Sequence, residues 1–442
     1  MHCWLLRHMR WGVSMRAAYE TLGCKVNRYE TDAMQEILEQ AGFETVDFAQ
    51  PAEIYVINTC TVTAVADKKS RQMISRAHMK NPAARIFVCG CMAQRDGERI
   101  LAHEGVAAVI GSKNKSKILQ IIERSLAGEE KIDAVEEILH EREFEPLQIS
   151  RSTERTRASL KICDGCNNFC SYCIIPYTRG PVRSRQIPEI VQEAERLVAG
   201  GVQEIVLTGI HLGSYGKDLE EGALIDVIEG LNALPGLARI RLGSLEPSLL
   251  TEEFCRRAAE CRALCPHFHV SLQSGSRGVL ARMNRKYTPE QYAEHIANVR
   301  KYFKNPAITT DIIAGFQGES EAEHTETLAF LRQIGFAKIH VFPYSKREGT
   351  MAAKMGGDVP GPDKKRRAAE VAKLAEQMQQ EYLRGFLGQE EEVLLEEQDA
   401  SGKMVGHTAR YQRVAIEGGA ENQMVRALIT GVTGDTLQGQ MR

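Results

Sequence analysis

No hydrophobic run in this 442-residue sequence approaches the length needed to span a bilayer, so no membrane partner is expected. A secretory leader is not expected either. The apolar stretch Cys3-Trp4-Leu5-Leu6 is broken by Arg7, His8 and Arg10, too early for the apolar core of a signal peptide. Residues 1–14 look foreign to the rest of the chain, and translation is expected to start at Met15, just before the first strand-like run. The net charge of −2 carries none of the overall basic excess of proteins that coat nucleic acid. Cysteine, in contrast, is plentiful: there are twelve. In the reducing cytoplasm these absences imply, cysteines serve as metal ligands or reactive groups rather than as disulfides. A hydrophobic content of 43% and a charged content of 26% suit a chain with sizeable cores, and its length suggests about three domains.

Three cysteines stand in a C-x3-C-x2-C loop: Cys166, Cys170 and Cys173. Such a loop can give three thiolates to a cube of four irons and leave the fourth iron open to a small chelating molecule. Zinc sites usually want four protein ligands. The next cysteine downstream is Cys255, and only Cys163, three residues upstream, stands near enough in sequence to close a four-thiolate site.

The pattern along the chain divides it into regions. From 15 to 127, strand-like runs (17–22, 54–59, 85–89 and 106–110) alternate with helical ones (27–41, 65–79, 94–103 and 116–126). This rhythm predicts a parallel sheet covered on both faces. Cys24, Cys60 and Cys91 fall just past the first three strands, at the edge where open parallel sheets bind ligands. A second metal site is therefore expected there. Residues 128–156 form an acidic linker, with eight Asp/Glu against two Lys/Arg in 128–145. From 157 to 385 six strand–helix units (strands at 159–162, 204–208, 239–242, 267–272, 309–314 and 338–342) and a charged helix predict an open, partial TIM-type barrel. Residues 386–442 alternate in short, glycine-punctuated runs, the pattern of a small antiparallel β-barrel.

The other cysteines have plainer readings. Cys91 follows Gly90 at the turn and is the one expected to join the site, whereas Cys89 is read as a buried small hydrophobe within the strand. Cys255, Cys261, Cys265, His267 and His269 are read as packing residues. Local charge says more than net charge. Residues 151–185 hold seven Lys/Arg against Glu154 and Asp164, and 67–85 hold six against Asp67. Both cysteine sites are thus flanked by basic segments suited to a polyanion, although solvated faces or internal ion pairs would give the same pattern. The C-terminal segment is acidic overall, and only Lys403, Arg410, Tyr411 and Arg413 offer a local basic face.

With these pieces in place, the chain resembles the radical S-adenosylmethionine methylthiotransferases from Met15 to its end. Cys166, Cys170 and Cys173, with Tyr172 as the aromatic, match that family's radical-cluster loop, and Cys24, Cys60 and Cys91 match its ligands for an auxiliary cluster. Gln273-Ser274-Gly275-Ser276, the run from Asp311 to Phe316 and Phe342-Pro343-Tyr344-Ser345 are similar to its supporting motifs. Gln317 departs from the usual proline of G-F-P-G-E. The flanks Thr21-Leu22-Gly23-Cys24-Lys25-Val26-Asn27 and Asn58-Thr59-Cys60-Thr61-Val62-Thr63 resemble the branch acting on N6-threonylcarbamoyladenosine at position 37 of tRNA.

The resemblance implies two 4Fe-4S clusters and S-adenosylmethionine as cofactors. The first cluster would cleave S-adenosylmethionine to a 5′-deoxyadenosyl radical, and the second would hold the sulfur to be methylated and moved to C2 of adenine. The inert C–H at that carbon is out of reach of side-chain acid–base chemistry. Tyr172, Gly209, Gln273 and Asp311 become candidate cofactor contacts. Arg183, Arg185, Lys403, Arg410 and Arg413 become candidate RNA contacts, the last three on a TRAM-like RNA-binding barrel. The implied partners are the tRNA anticodon loop and a reducing donor such as flavodoxin or ferredoxin. Isopentenyladenosine-type tRNA and ribosomal protein S12 are alternative substrates within the family. A two-cluster RNA-binding electron carrier is the non-enzyme alternative, although carriers usually bind each cluster through four cysteines.

Overall fold

The structure, a computed structural model, describes residues 14–151 and 156–442. The expected leader, apart from Ser14, lies outside the described residues, as do Cys3, Glu154 and Arg155.

Six strands form the N-terminal sheet: β1 (Arg16–Thr21), β2 (Glu44–Val46), β3 (Ile54–Thr59), β4 (Arg85–Gly90), β5 (Val106–Ile110) and β6 (Ile132–Ala134). Their order is β2-β1-β3-β4-β5-β6, with every pairing parallel. Side chains alternate between two cores. Ile54, Val56, Phe87 and Cys89 pack on one face, and Tyr55, Ile57, Ile86 and Val88 on the other. Cys89 is thus a core residue, as expected. The outer strands β2 and β6 have three residues each, too few for their alternation to be legible.

Residues 128–151 are not a solvated linker. β6 extends the sheet, and Ile138, Leu147 and Ile149 are buried. Some of the acidic side chains bind near at hand: Glu141 and Glu136 pair with Lys113, and Glu145 accepts from the Ser116 backbone N–H at 2.9 Å. Glu129, Glu130, Asp133, Glu137 and Glu143 stay exposed, as an acidic composition suggests, while the apolar residues and these few contacts fix the segment against the preceding domain.

The second region contains β7 (Arg157–Asp164), β8 (Arg183–Ser184), β9 (Glu204–Gly209), β10 (Arg239–Leu242), β11 (His267–His269), β12 (Ala307–Ala314) and β13 (Lys338–Pro343). The sheets β10-β9-β7-β8 and β11-β12-β13 are joined by parallel bridges Ile240–Leu264 and Leu245–Val270, which gives the expected open six-unit barrel. β8 is a two-residue antiparallel addition at the end of β7. The outer strand β13 is backed by the helix Gly361–Arg384. At the other edge the helix Lys25–Gln40 lies against β7, and its Tyr29 and Ala33 belong to the barrel's own core. Tyr29 Oη donates to Leu147 O at 2.8 Å and to Glu193 Oε1 at 2.9 Å.

The chain ends in a closed barrel, β14 (Glu390–Gln398), β15 (Met404–Thr408), β16 (Arg413–Ile416), β17 (Met424–Thr433) and β18 (Thr436–Met441). Its pairings are antiparallel except β16–β18, which is parallel and closes the barrel. This domain docks at the beginnings of β7, β9 and β10. Arg157 bonds Glu396 at 2.7 Å, and Arg239 donates to His407 O and Glu392 O at 2.7 and 2.8 Å. It therefore sits at the end of the strands opposite the cysteine loop.

Candidate active site at two facing strand ends

Parallel strands place all their C-terminal ends on one edge, and β1, β3 and β4 are neighbours there. Cys24 follows β1 as the N-cap of the helix Lys25–Gln40, Cys60 directly follows β3, and Cys91 opens the helix Cys91–Leu101. Two of the three sulfurs thus stand at helix N-termini, beside backbone N–H groups that have no partner within the helix. Gly23, at φ +107°, makes the close approach possible. A Cβ there would lie 2.8 Å from Cys60 Cβ and 2.9 Å from its Sγ. Asn27 secures the same edge, donating to Leu22 O at 2.7 Å and Thr59 O at 3.0 Å. Burial, with smaller contributions from the Cys91 and Cys24 sulfurs, pushes the Cys60 thiol up to about 11.

The second triplet occupies the loop after β7. The loop is closed at its base by Cys166 N donating to Gly180 O at 3.0 Å and folded inside by Cys173 N donating to Cys170 O at 2.9 Å. It is held from outside as well. Ser171 N and Oγ donate to Met283 O and Arg282 O, and Asn284 Nδ2 donates to the carbonyl of Phe169, whose φ of +46° needs such support. Burial raises Cys166 to about 11 and Cys173 to about 12, with the Cys170 sulfur adding to both. Arg285 Nη1 donates to Cys170 Sγ at 3.3 Å and is aimed by Glu246 at 3.2 Å. Glu246 also meets His211 Nε2 at 3.0 Å.

Among the described residues no three His, Cys, Asp or Glu side chains converge tightly enough to enclose a single metal ion. A cube of four irons spaces its thiolates more widely. The donor chemistry fits such a group, because the thiols of Cys60, Cys166 and Cys173, pushed up by burial, lose their protons outright when they bind metal. Cys163 does not join the loop. It is fully buried, its thiol pushed up to about 12 by burial, and its Sγ would stand 2.3 Å from a Cβ on Gly209. That contact accounts for the glycine at 209.

The two cysteine edges face each other. Arg179, at the end of the short helix that leaves the loop, donates from Nε to Cys91 Sγ at 3.1 Å. Arg347, beyond the end of β13, bonds Thr61, which directly follows Cys60, and donates to Asp67 Oδ2 at 2.6 Å. Beneath these contacts is a buried ion network. Glu30 meets Arg179 at 2.5 Å, Lys161 at 2.8 Å and Lys115 at 3.4 Å, and Asp164 meets Lys161, Arg179 and Arg183. Burial alone would raise Glu30, but Arg179, Lys115 and Lys161 more than reverse it and hold the carboxylate well below its usual range.

Other expected site residues fall into place differently. Tyr172 sits edge-on to Phe316, with ring centroids 6.3 Å apart. Gln273, in the segment after β11, lies beside Asp311 within β12, its N donating to Asp311 O at 2.9 Å, while the Asp311 carboxylate meets His269 at 3.2 Å. Gln317 is buried, and its side-chain amide has no hydrogen-bond partner among the described residues.

The expectation that Arg183 and Arg185 contact phosphate is corrected. Both are buried, Arg183 donating to Arg179 O and Pro181 O at 2.9 Å and Arg185 binding Glu193. Arg410 is engaged as well, paired with Glu391 over the Phe386 ring. Lys403 and Arg413 keep loose partners, at 3.8 and 3.9 Å, and remain near solvent. Arg179, Arg285 and Arg347 are site residues that the sequence does not single out. Arg179 stands there only as one member of a basic segment, and nothing in sequence links Arg347 to Cys60, 287 positions earlier.

Comparisons with known proteins agree with this layout. Residues 16–111 match the uncharacterized protein family UPF0004, 160–331 the radical SAM superfamily and 384–441 the TRAM domain. The threonylcarbamoyladenosine tRNA methylthiotransferase MtaB of Bacillus subtilis is 42% identical, over 91% of this chain and 90% of its own length. MtaB of Aquifex aeolicus is 37% identical over 94% of this chain and all of its own length. The tRNA-2-methylthio-N(6)-dimethylallyladenosine synthase of Desulfitobacterium hafniense is 33% identical, covering 95% and 96%. Among solved structures, the radical S-adenosylmethionine methyltransferase TsrM of Kitasatospora setae shares the fold, with a TM-score of 0.55 at 15% identity over 74% of this chain and 73% of its own. Among the described residues no helix is long and apolar enough to cross a membrane. The three matching domains in this order, with MtaB relatives at 42% and 37% identity over more than nine tenths of the chain, show that it belongs to the radical S-adenosylmethionine tRNA methylthiotransferases of the MtaB type.

Proposed function

We propose that the chain transfers a methylthio group to C2 of N6-threonylcarbamoyladenosine at position 37 of tRNA. The observation that carries this reading is the meeting of two three-cysteine edges, bridged by Arg179 and Arg347. Cys166, Cys170 and Cys173 would hold one 4Fe-4S cluster with S-adenosylmethionine, and Cys24, Cys60 and Cys91 a second. When bound, the first supplies radical chemistry for an inert C–H and the second supplies the sulfur. Tyr172, Gln273 and Asp311 would border the cofactor, with Gly209 at the end of the next strand. The substrate base lies in a single-stranded loop, so extruding it costs only a few kcal/mol. Lys403 and Arg413 would touch RNA at a distance from the reacting base, because their barrel docks at the far end of the strands. Electrons would come from a small reducing protein such as flavodoxin or ferredoxin in the cytoplasm.

The relatives named MtaB support threonylcarbamoyladenosine, while dimethylallyladenosine synthases of 30–34% identity keep the isopentenyl-type substrate as the alternative. Mass spectrometry of tRNA nucleosides from cells with and without the protein separates the two. Deletion is expected to remove the 2-methylthio form of threonylcarbamoyladenosine and leave the isopentenyl counterpart intact. The reverse pattern would overturn the assignment.

A further inference from the structure

We infer that Arg179 is a positioning residue shared by the two cysteine sites, which fixes the Cys91 sulfur and raises the reduction potential of the cluster held there. The inference rests on the reading that Cys24, Cys60 and Cys91 hold a cluster. Its first ground is position. Arg179 ends the helix Ile175–Arg179, six residues after Cys173, and the next residue, Gly180, accepts from Cys166 N at 3.0 Å. The residue that reaches Cys91 is therefore part of the base on which the radical-cluster loop is folded. Its second ground is orientation. With Nε on Cys91 Sγ at 3.1 Å, Nη1 is taken by Glu30 and by Asp164 at 3.2 Å, and Nη2 by Asn27 and by Glu30 at 3.2 Å. A fully buried guanidinium with all three nitrogens engaged has no freedom to point elsewhere.

The third ground is charge. Lys115, Lys161, Arg179 and Arg183 share two buried carboxylates, Glu30 and Asp164, which leaves an excess of two positive charges. Buried charge is costly unless matched. Arg179 is the member of this network that reaches Cys91, and a thiolate-ligated cluster is an anion that its charge would match. A hydrogen bond to a ligand sulfur and nearby positive charge both favour the reduced, more negative state of a cluster and so raise its potential.

The test uses the full chain, anaerobically reconstituted, in wild-type, Arg179→Lys and Arg179→Gln forms. Redox titration followed by electron paramagnetic resonance should show the N-terminal cluster moving to more negative potential, further in the Gln variant than in the Lys variant. The Cys166/Cys170/Cys173 cluster should move less. Methylthiolation should fall by about tenfold or more, as for other residues that orient metal ligands, with the Lys variant recovering part of it. A second measurement needs no variant and so does not depend on a variant's folding. In the wild type labelled with ¹⁵N-arginine, pulsed resonance on the reduced N-terminal cluster should detect a weakly coupled nitrogen. Absence of that coupling, or an unchanged potential in a loaded variant, would overturn the inference. A wild type that carries a cluster only at Cys166, Cys170 and Cys173 would instead overturn the two-cluster reading on which it rests.

Discussion

Cys170→Ala is expected to reduce cleavage of S-adenosylmethionine to background, measured as 5′-deoxyadenosine released by the reconstituted, dithionite-reduced protein. Cys170 sits at the centre of the loop, between Cys166 and Cys173, and its sulfur is the one that Arg285 approaches at 3.3 Å. Removing it leaves two thiolates, one short of what an open-iron cube needs, and it leaves Arg285 aimed at a vacant position. Cys163→Ala makes a matched control because the Cys163 sulfur packs on Gly209 rather than in the loop. That variant is expected to keep cleavage despite a small loss of packing. Cleavage lost equally in both would mean that position 163 is a ligand after all.

Glu30→Gln has the largest expected effect on stability, a loss of about 3–5 kcal/mol, the usual cost of stripping one partner from a buried ion pair. Glu30 is fully buried and shared by Arg179, Lys161 and Lys115, so the amide would leave four cations with Asp164 alone. Thermal melting should show a fall of roughly 10 °C, while the exposed Glu98→Gln stays close to wild type. The pH dependence has a definite sign. Glu30 and Asp164 are both held below the ordinary carboxylate range in the folded chain: burial opposes this, but the cations override it. A depressed carboxylate contributes stability that is complete above its unfolded pKa of about 4 and is lost as pH falls through the folded value. The wild type should therefore keep its stability down to about pH 5 and lose it steeply below about pH 4, with Glu30→Gln flatter over the acid range. Equal melting of the two at neutral pH would remove the network from any role in holding the domains together.

Much of this was legible in the chain. The strands β3 and β5 lie at the ranges their apolar runs indicate, because a strand buried on both faces needs a nearly continuous run and gives itself away. The same rule carried Cys24, Cys60 and Cys91 to one edge, since adjacent parallel strands end together. What stayed hidden depended on partners remote in sequence. Arg183 and Arg185 look like any exposed cations until Asp164 and Glu193 are seen beside them. The acidic run 128–145 reads as a free linker until β6 is seen paired with β5, and Glu136 and Glu141 with Lys113. Composition reports the charge of a segment, whereas its function depends on which charges fold against it.

The most direct test of the central claim, that two separate cysteine sites do two separate jobs, is a paired assay on Cys60→Ala. Release of 5′-deoxyadenosine and formation of methylthiolated nucleoside would be measured in the same reaction with tRNA bearing threonylcarbamoyladenosine. Cys60 lies on the N-terminal edge, away from the loop of Cys166, Cys170 and Cys173, so the variant should still release 5′-deoxyadenosine and form no methylthiolated product. Loss of both in a protein whose loop cluster is fully loaded, or retention of both, would contradict the account.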